Sequence, residues 1–251
     1  MRRTRPVFAA FDQGQIPDIA VFNQATVPLG IDLDRFIAAL QKFVSDCVAP
    51  VWGTPARLAR TTGFRKGAWA LVFLDTADQA NALAYHELTP DGLPLSKVFV
   101  KTIADAGASL TVAASHELVE MLVDPAINLL SLGPDPKAAY AYESADPVED
   151  DALAFKVNGF KMTDFVYPSY FELFHKPSST KFDHRGKVKR PFQILRGGYQ
   201  LVFRNGKWSE VTASRGKARE LRQEDRRDHR SEIRTIRPDE RRRSRPSARR
   251  R

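Results

Sequence analysis

Residues 115–125 read SHELVEMLVDP, and this stretch sets the expected fold of the chain. It closes a run from Ser109 to Val123 that contains neither Gly nor Pro, and Pro125 supplies a stop, so the run predicts a helix. At about 100° per residue, one sector of that helix collects the polar side chains of an acidic stripe: His116, Glu117, Glu120 and Asp124. Apolar residues fill most of the remaining arc, the inverse of an ordinary surface helix. We therefore expect a helix that packs on most sides and is open only along the acidic stripe.

Buried charges are costly unless they are paired or bound to a metal, so the acidic stripe indicates a site for a divalent cation. Its spacing, His-Glu-x-x-Glu, resembles the His-Glu-x-x-His helix of the zincin metallopeptidases. The resemblance implies that His116 and Glu120 are ligands of Zn²⁺ or another divalent metal, and that Glu117 is the general base that deprotonates a water. The sequence departs from the zincin pattern at Glu120, where that family has a second histidine. A carboxylate there makes the ligand shell more anionic and a bound water less acidic.

A second acidic motif, YESADP at residues 142–147, offers the third ligand. It resembles the gluzincin arrangement, in which a Glu downstream of the helix completes the site and a nearby acid orients a ligand. The resemblance implies that Glu143 is the third ligand and that Asp146 orients His116. Asp124, at the end of the acidic stripe, and Asp146 itself are the alternative third ligands.

The two motifs together resemble a set of zincin-like proteins from bacteria and their phages, over the segment from Val98 to Phe171. The resemblance implies a fold and a metal but leaves the substrate open. Two other interpretations stand beside it. The polar side chains can form a solvated strip with no ligand, or the chain can have a zincin fold that has lost its metal.

Zincin-type enzymes often use a later His or Tyr to stabilise the oxyanion that develops on the attacked carbonyl. By that resemblance Tyr167, Tyr170 and His175 are candidates, with aromatic packing as the alternative for the two tyrosines. His86 lies in an expected loop before Val98. We expect it to be a surface or hydrogen-bonded histidine, and the alternative is a histidine that contacts the substrate cleft of the zincin arrangement.

The patterns of the remaining chain predict an α+β fold. The expected elements before the acidic stripe are strands at Ile19–Phe22, Trp69–Leu74 and Val98–Thr102, and an amphipathic helix at Asp34–Val48. Residues 95–101 have two expected positions: an edge strand that borders the substrate cleft and could pair with an extended peptide, or an ordinary internal strand. Asn158-Gly159 and Asn205-Gly206 are centred in hairpin patterns. We therefore expect a zincin-like domain over residues 1–214, with a mixed sheet, a buried metal-bearing helix and a C-terminal β-hairpin lobe.

Residues 215–251 are expected to form a disordered, Arg-rich tail. They contain 16 Lys and Arg against 7 Asp and Glu, so the tail carries the whole net charge of +9. It has almost no large apolar side chains, so it cannot bury enough surface to offset the entropy of ordering. Such a tail can bind nucleic acid by charge alone, dock on an acidic protein, or aid solubility.

Cys47 is the only cysteine, which excludes an intrachain disulfide and a zinc site built from Cys pairs. No signal peptide or membrane span is recognised, so a cytoplasmic location is expected. The predicted function is a metal-dependent hydrolase of peptide or other amide bonds. The alternative is a non-catalytic binding or structural protein that keeps the fold and contacts nucleic acid through its tail. Such a protein could be associated with a phage.

Overall fold

A computed structural model describes residues 16–79 and 82–213 of the chain. The predicted tail at residues 215–251 lies outside the described residues. The strands are β1 (Asp18–Asn23), β2 (Arg57–Arg60), β3 (Trp69–Leu74), β4 (Ala84–Leu88), β5 (Pro94–Phe99), β6 (Leu130–Leu132), β7 (Ala138–Ala141), β8 (Phe155–Val157), β9 (Phe160–Met162), β10 (Tyr199–Arg204) and β11 (Lys207–Thr212). The α-helices are α1 (Leu33–Phe43), α2 (Ala49–Trp52), α3 (Val100–Asp105) and α4 (Leu110–Val123).

The main sheet has five strands in the order β2-β1-β3-β5-β4, all parallel except β4, which pairs antiparallel with β5. This mixed sheet with its covering helices confirms the predicted α+β class. The strand predicted at Trp69–Leu74 has the observed bounds of β3, and β1 extends the predicted Ile19–Phe22 by one residue at each end. The helix predicted at Asp34–Val48 is α1 continued by a π-helical turn at Val44–Val48.

The predicted bounds of the strand before the acidic stripe are wrong, and of its two expected positions the structure shows the internal one. The strand ends at Phe99, and the next residues form α3, because a short apolar run does not by itself distinguish a strand from a buried helical turn. In addition, β5 is an internal strand, since β3 pairs with it on one side and β4 on the other. The edge of the sheet next to α4 is therefore β4.

The helices α1 and α4 cover one face of the main sheet. Ile19, Val21, Leu71, Phe73 and Val98 point into the core that these helices share. The alternate residues of the same strands form a smaller apolar cluster on the opposite face. Successive side chains of a strand point to opposite faces, so each strand contributes to both layers.

The described part of the chain after α4 consists mainly of short β-strands and loops, as predicted. One antiparallel sheet has the order β11-β10-β7-β6, and β8 pairs with β9 in a separate hairpin. Asn158 and Gly159 have φ of 48° and 87°, as a type I′ turn requires, and Asn205-Gly206 repeats this geometry between β10 and β11. Both hairpin predictions are confirmed. Among the described helices, none has the length and apolar character that crossing a membrane requires.

Candidate metal centre

The helix α4 carries the acidic stripe, but the stripe is not open to solvent as expected. His116, Glu117 and Glu120 are 4%, 2% and 0% exposed, because α4 packs against β4, β5 and β9. The same burial contradicts the interpretation as a solvated polar strip. Charged groups at these positions must be satisfied within the protein.

Hydrogen bonds at the ends and middle of α4 fix which way the acidic stripe faces. The Ser109 hydroxyl caps the helix by accepting from the Val112 N–H. One turn later, the buried Ser115 hydroxyl donates to the Val112 carbonyl at 3.0 Å and accepts from the Thr163 N–H at 2.8 Å. The contact with Thr163, directly after β9, ties the rotation of α4 to the C-terminal half of the protein.

The second acidic motif folds back onto the acidic stripe. Glu120 Oε1 accepts from the N–H groups of Ala145 and Asp146, at 3.1 and 3.4 Å. The same motif places Asp146 Oδ1 at 3.2 Å from His116 Nε2, while Glu120 Oε2 lies 3.3 Å from that nitrogen. Both Glu120 and Asp146 are fully buried. A helix and a loop that are separate in sequence thus bring an imidazole and two carboxylates together.

The strand β4 completes the cluster with His86. Its Nδ1 lies 3.2 Å from Glu117 Oε2 and 3.9 Å from Glu120 Oε2. Directly across the strand pair lies Ser96 of β5, whose hydroxyl donates to the Glu117 carbonyl at 3.3 Å. The expected loop position of His86 is wrong, because residues 84–88 form the edge strand and alternation turns this side chain toward α4.

Sequence reasoning missed the role of His86 because β4 lacks an apolar face that would reveal it as a strand. Its neighbours Tyr85 and Glu87 point the other way, where Lys97 contacts both of them. Both faces of β4 therefore carry polar groups, one toward Lys97 and one toward the acidic stripe. Strand alternation is the available signal, since in a strand the side chain of His86 points away from those of Tyr85 and Glu87.

The charges of this buried cluster change the acidity of its histidines. Burial disfavours the charged form of His116, but the carboxylates of Glu120 and Asp146 outweigh this effect and hold its pKa well above the ordinary value. Burial acts in the same way on His86, and there the hydrogen bond with Glu117 and the charge of Glu143 raise the pKa. Both imidazoles therefore sit in a strongly anionic environment that attracts cations.

The possible ligand atoms form two groups, and within each group all atoms lie within 4.8 Å of one another. One group contains His116, Glu120 and Asp146, and the other contains His86, Glu117 and Glu120. Two ligand atoms of one tetrahedral zinc ion are about 3.4 Å apart, which the contacts of 3.2 and 3.3 Å around His116 match. The residues of the first group therefore fit a divalent ion. Imidazole with carboxylates suits zinc and several other divalent metals.

The remaining candidate ligands of the sequence take different places. Glu143 is 5% exposed and lies close enough to His86 for its charge to act on that ring, so it belongs to the buried cluster. Asp124 accepts from the N–H groups of Asn128 and Leu129, at 2.9 and 3.0 Å, and so organises the turn after α4. The assignment of Glu143 as the third ligand stays a prediction.

The three oxyanion candidates have different contacts in the fold. The Tyr167 hydroxyl lies 3.4 Å from His184 Nδ1, and His175 Nε2 lies 2.8 Å from Glu172 Oε2. Tyr170 is fully buried, and burial together with the negative charge of Asp146 raises its pKa well above the ordinary value. The electrostatic environment of Tyr170 therefore includes a carboxylate of the cluster.

Fold and site together define an α+β protein with a buried His/Glu/Asp cluster that could hold a metal ion. Comparisons of the chain with protein-family models, with curated proteins and with solved structures found no match.

Proposed function

We propose that the protein is a zincin-like, metal-dependent hydrolase that cleaves peptide or other amide bonds. The observation that carries the proposal is the group formed by His116, Glu120 and Asp146, whose atoms lie at ligand-to-ligand distances in a buried, anionic environment. Glu117 comes one residue after His116 on the same helix and faces the same cluster. This pairing of a ligand set with an adjacent carboxylate is what metal-assisted hydrolysis requires.

In this proposal the ligands are His116 Nε2, Glu120 Oε2 and Asp146 Oδ1. Asp146 is preferred over Glu143 because it contacts His116 directly, at 3.2 Å, whereas the influence of Glu143 is on His86. Glu143 remains the alternative third ligand. The backbone N–H groups that bind Glu120 Oε1 would hold the other oxygen, Oε2, toward the ion.

A bound divalent ion would polarise the substrate carbonyl and make a water molecule more acidic. Glu117 would take a proton from that water as its oxygen adds to the carbonyl carbon, and would pass the proton to the amine nitrogen as the C–N bond breaks. His86 would hold Glu117 in place through the contact between Nδ1 and Oε2. The net reaction consumes one water and yields an acid and an amine.

The edge position of β4 suggests how a peptide could approach. In the described part of the chain β4 is the last strand of the main sheet, and His86 on this strand contacts the cluster. An extended peptide that added to the outer edge of β4 would run past the site, held by main-chain hydrogen bonds. The proposed substrate class is therefore an extended peptide or protein segment.

The test is a metal analysis combined with a hydrolysis assay on a mixed peptide library. Wild-type protein should bind metal at the His116 position and cleave peptides, and His116→Ala should lose both this metal and the cleavage. Glu117→Gln should keep the metal but lose cleavage by about 10²–10⁴-fold, the usual size of a general-base contribution. His175→Ala is a matched control, since its ring pairs with Glu172 instead of the cluster. Cleavage by Glu117→Gln at the wild-type rate would disprove the assignment of the base.

A second candidate function is a non-catalytic protein with a structural metal site. The depth of the cluster favours it, because Glu120 and Asp146 are fully buried and structural metal sites are closed, whereas catalytic ones keep an open position. This candidate predicts that removal of the metal lowers the unfolding temperature while neither wild type nor Glu117→Gln cleaves any peptide.

We also propose that the basic segment at residues 215–251 contacts nucleic acid, with an acidic protein as the alternative partner. Its excess of Arg is the supporting feature. A protein ending at residue 213 should lose most of its affinity for duplex DNA, and the affinity of the full chain should fall steeply with salt. Equal DNA binding by the full and shortened chains would contradict this proposal.

A further inference from the structure

We propose that the cluster holds a second divalent cation, bound by His86, Glu117 and Glu120, with Glu120 shared between the two metal positions. This inference rests on the proposed metal site at His116, which supplies the first position. It adds a site, assigns His86 as a ligand, and gives Glu117 a second role.

The geometry separates the two histidines into different ligand groups. His86 Nδ1, Glu117 and Glu120 form one group of mutually close atoms, and His116 belongs only to the other group. Glu120 is the common member, with Oε2 at 3.3 Å from His116 Nε2 and at 3.9 Å from His86 Nδ1. A carboxylate oxygen between two imidazole nitrogens is well placed to bridge two cations. The five ligand atoms therefore describe two adjacent positions that share Glu120 Oε2.

An independent observation is the environment of the His86 ring. Its side chain is only 4% exposed, and among the described residues its Nε2 has no hydrogen-bond partner. A buried ring nitrogen without a hydrogen-bond partner lowers the stability of the folded protein, so packing alone does not account for a histidine at this position. A cation bound through Nδ1, the ring atom that faces Glu117 and Glu120, would not pair Nε2, but the metal–nitrogen bond would offset the cost of burying the ring and would fix its orientation.

The charge of the buried cluster also suits two cations better than one. Four buried carboxylates belong to it, on Glu117, Glu120, Glu143 and Asp146. With neutral histidines, one divalent ion would leave these groups with two negative charges, whereas two divalent ions would balance them. Because buried charge is stable only when it is compensated, the second ion accounts for carboxylates that a single site does not use.

The second position has a consequence for Glu117. With one ion bound, Glu117 is available as the proposed base, and His86 holds it. With two ions bound, the same carboxylate is a ligand, so base and ligand roles compete for one side chain. The number of bound ions therefore determines what Glu117 does.

The experiment is a titration of the metal-free, full-length protein with Zn²⁺, combined with elemental analysis after gel filtration. Wild type should bind two ions per chain. His86→Ala and the isosteric Glu117→Gln should each bind one, and His175→Ala, a control outside the cluster, should bind two. His116→Ala should lose the first position. Glu117→Gln preserves side-chain shape, so it tests the inference even if His86→Ala fails to fold.

The outcomes separate this inference from the proposed function. One ion per chain in wild type, unchanged in His86→Ala and Glu117→Gln, would overturn the second position and leave the first intact. Two ions in Glu117→Gln as well as in wild type would overturn the ligand set proposed here. No stoichiometric metal in any variant would overturn both the second position and the proposed function.

Discussion

Glu120 Oε1 accepts a hydrogen bond from the Ala145 N–H at 3.1 Å, across 25 positions of sequence. Its other oxygen, Oε2, lies 3.3 Å from His116 Nε2. The two oxygens of this carboxylate therefore have different roles. Oε1 holds the second acidic motif against α4, and Oε2 faces the candidate metal site. Substitutions of Glu120 can separate these two contributions.

Glu120→Ala should destabilise the metal-free protein, because the buried N–H groups of Ala145 and Asp146 lose their acceptor. Each such loss costs about 1–3 kcal/mol of unfolding free energy. Glu120→Gln keeps a side-chain oxygen for these N–H groups, so it should retain more of the stability while losing metal binding. Urea unfolding with a chelator, followed by metal titration, measures both effects. If both variants lose equal stability, the anchoring role of Oε1 is wrong.

The metal-free protein should lose stability as the pH rises above the ordinary range of histidine. The pKa of His116 is raised well above its ordinary value in the folded state, so the folded protein holds this proton more tightly than the unfolded chain. The resulting stabilisation is complete below about pH 6.5, the ordinary pKa, and is lost as the pH rises through the folded pKa. Denaturant unfolding across pH should show a weaker slope in His116→Asn. An identical pH dependence of the unfolding free energy in both proteins would rule out His116 as its source.

Metal binding should respond to pH in the opposite direction. A histidine must lose its proton before its nitrogen can bind a metal, so apparent affinity should rise with pH. The competition of Zn²⁺ against protons at His116 and His86 predicts release of protons on binding. Calorimetry of Zn²⁺ binding in buffers of different ionisation enthalpy measures the number of protons released. Binding without proton release would contradict coordination through these rings.

A pair of buried acids away from the cluster should add a separate pH dependence. Burial and a hydrogen bond with Asp183 raise the pKa of Asp164 to about 8. Because the folded protein keeps this proton and the unfolded chain does not, stability should fall as the pH rises from the ordinary Asp range to about 8. In Asp164→Asn the unfolding free energy should no longer show this fall, whose slope in wild type is up to about 1.4 kcal/mol per pH unit. The exposed Asp91→Asn serves as the control, and its slope should match that of wild type.

Gly198 should be intolerant of any side chain, because it lies against the second acidic motif. A Cβ at this position would come 2.4 Å from the Pro147 carbonyl oxygen and 2.7 Å from that of Asp146. Backbone atoms cannot rotate away, so Gly198→Ala should displace Asp146, weaken metal binding and destabilise the protein by about 1–3 kcal/mol. Gly63→Ala, where a Cβ meets nothing within 4 Å, should leave both properties unchanged. Thermal unfolding and metal titration of the two variants provide the comparison, and equal behaviour would contradict the packing argument.

The helix with the acidic stripe was predictable because its evidence is local. The run without Gly or Pro and the Asp-Pro ending both lie within α4 and its flanks. The strand at Trp69–Leu74 and the two Asn-Gly hairpins were predictable for the same reason, since a turn and a short apolar strand depend on neighbouring residues. The strand β4 was not predictable, because its side chains alternate between two polar environments that the sequence does not reveal.

By itself, the sequence determined the α+β class, the polar stripe of α4 and the presence of a second acidic motif. Only the tertiary structure decided that the stripe is buried, that Asp146 contacts His116, and that His86 arrives from an edge strand. The physical reason is the range of the interactions involved. Helices and turns follow from neighbouring residues, whereas a buried cluster depends on which distant segments pack together, and that choice is made by the whole core.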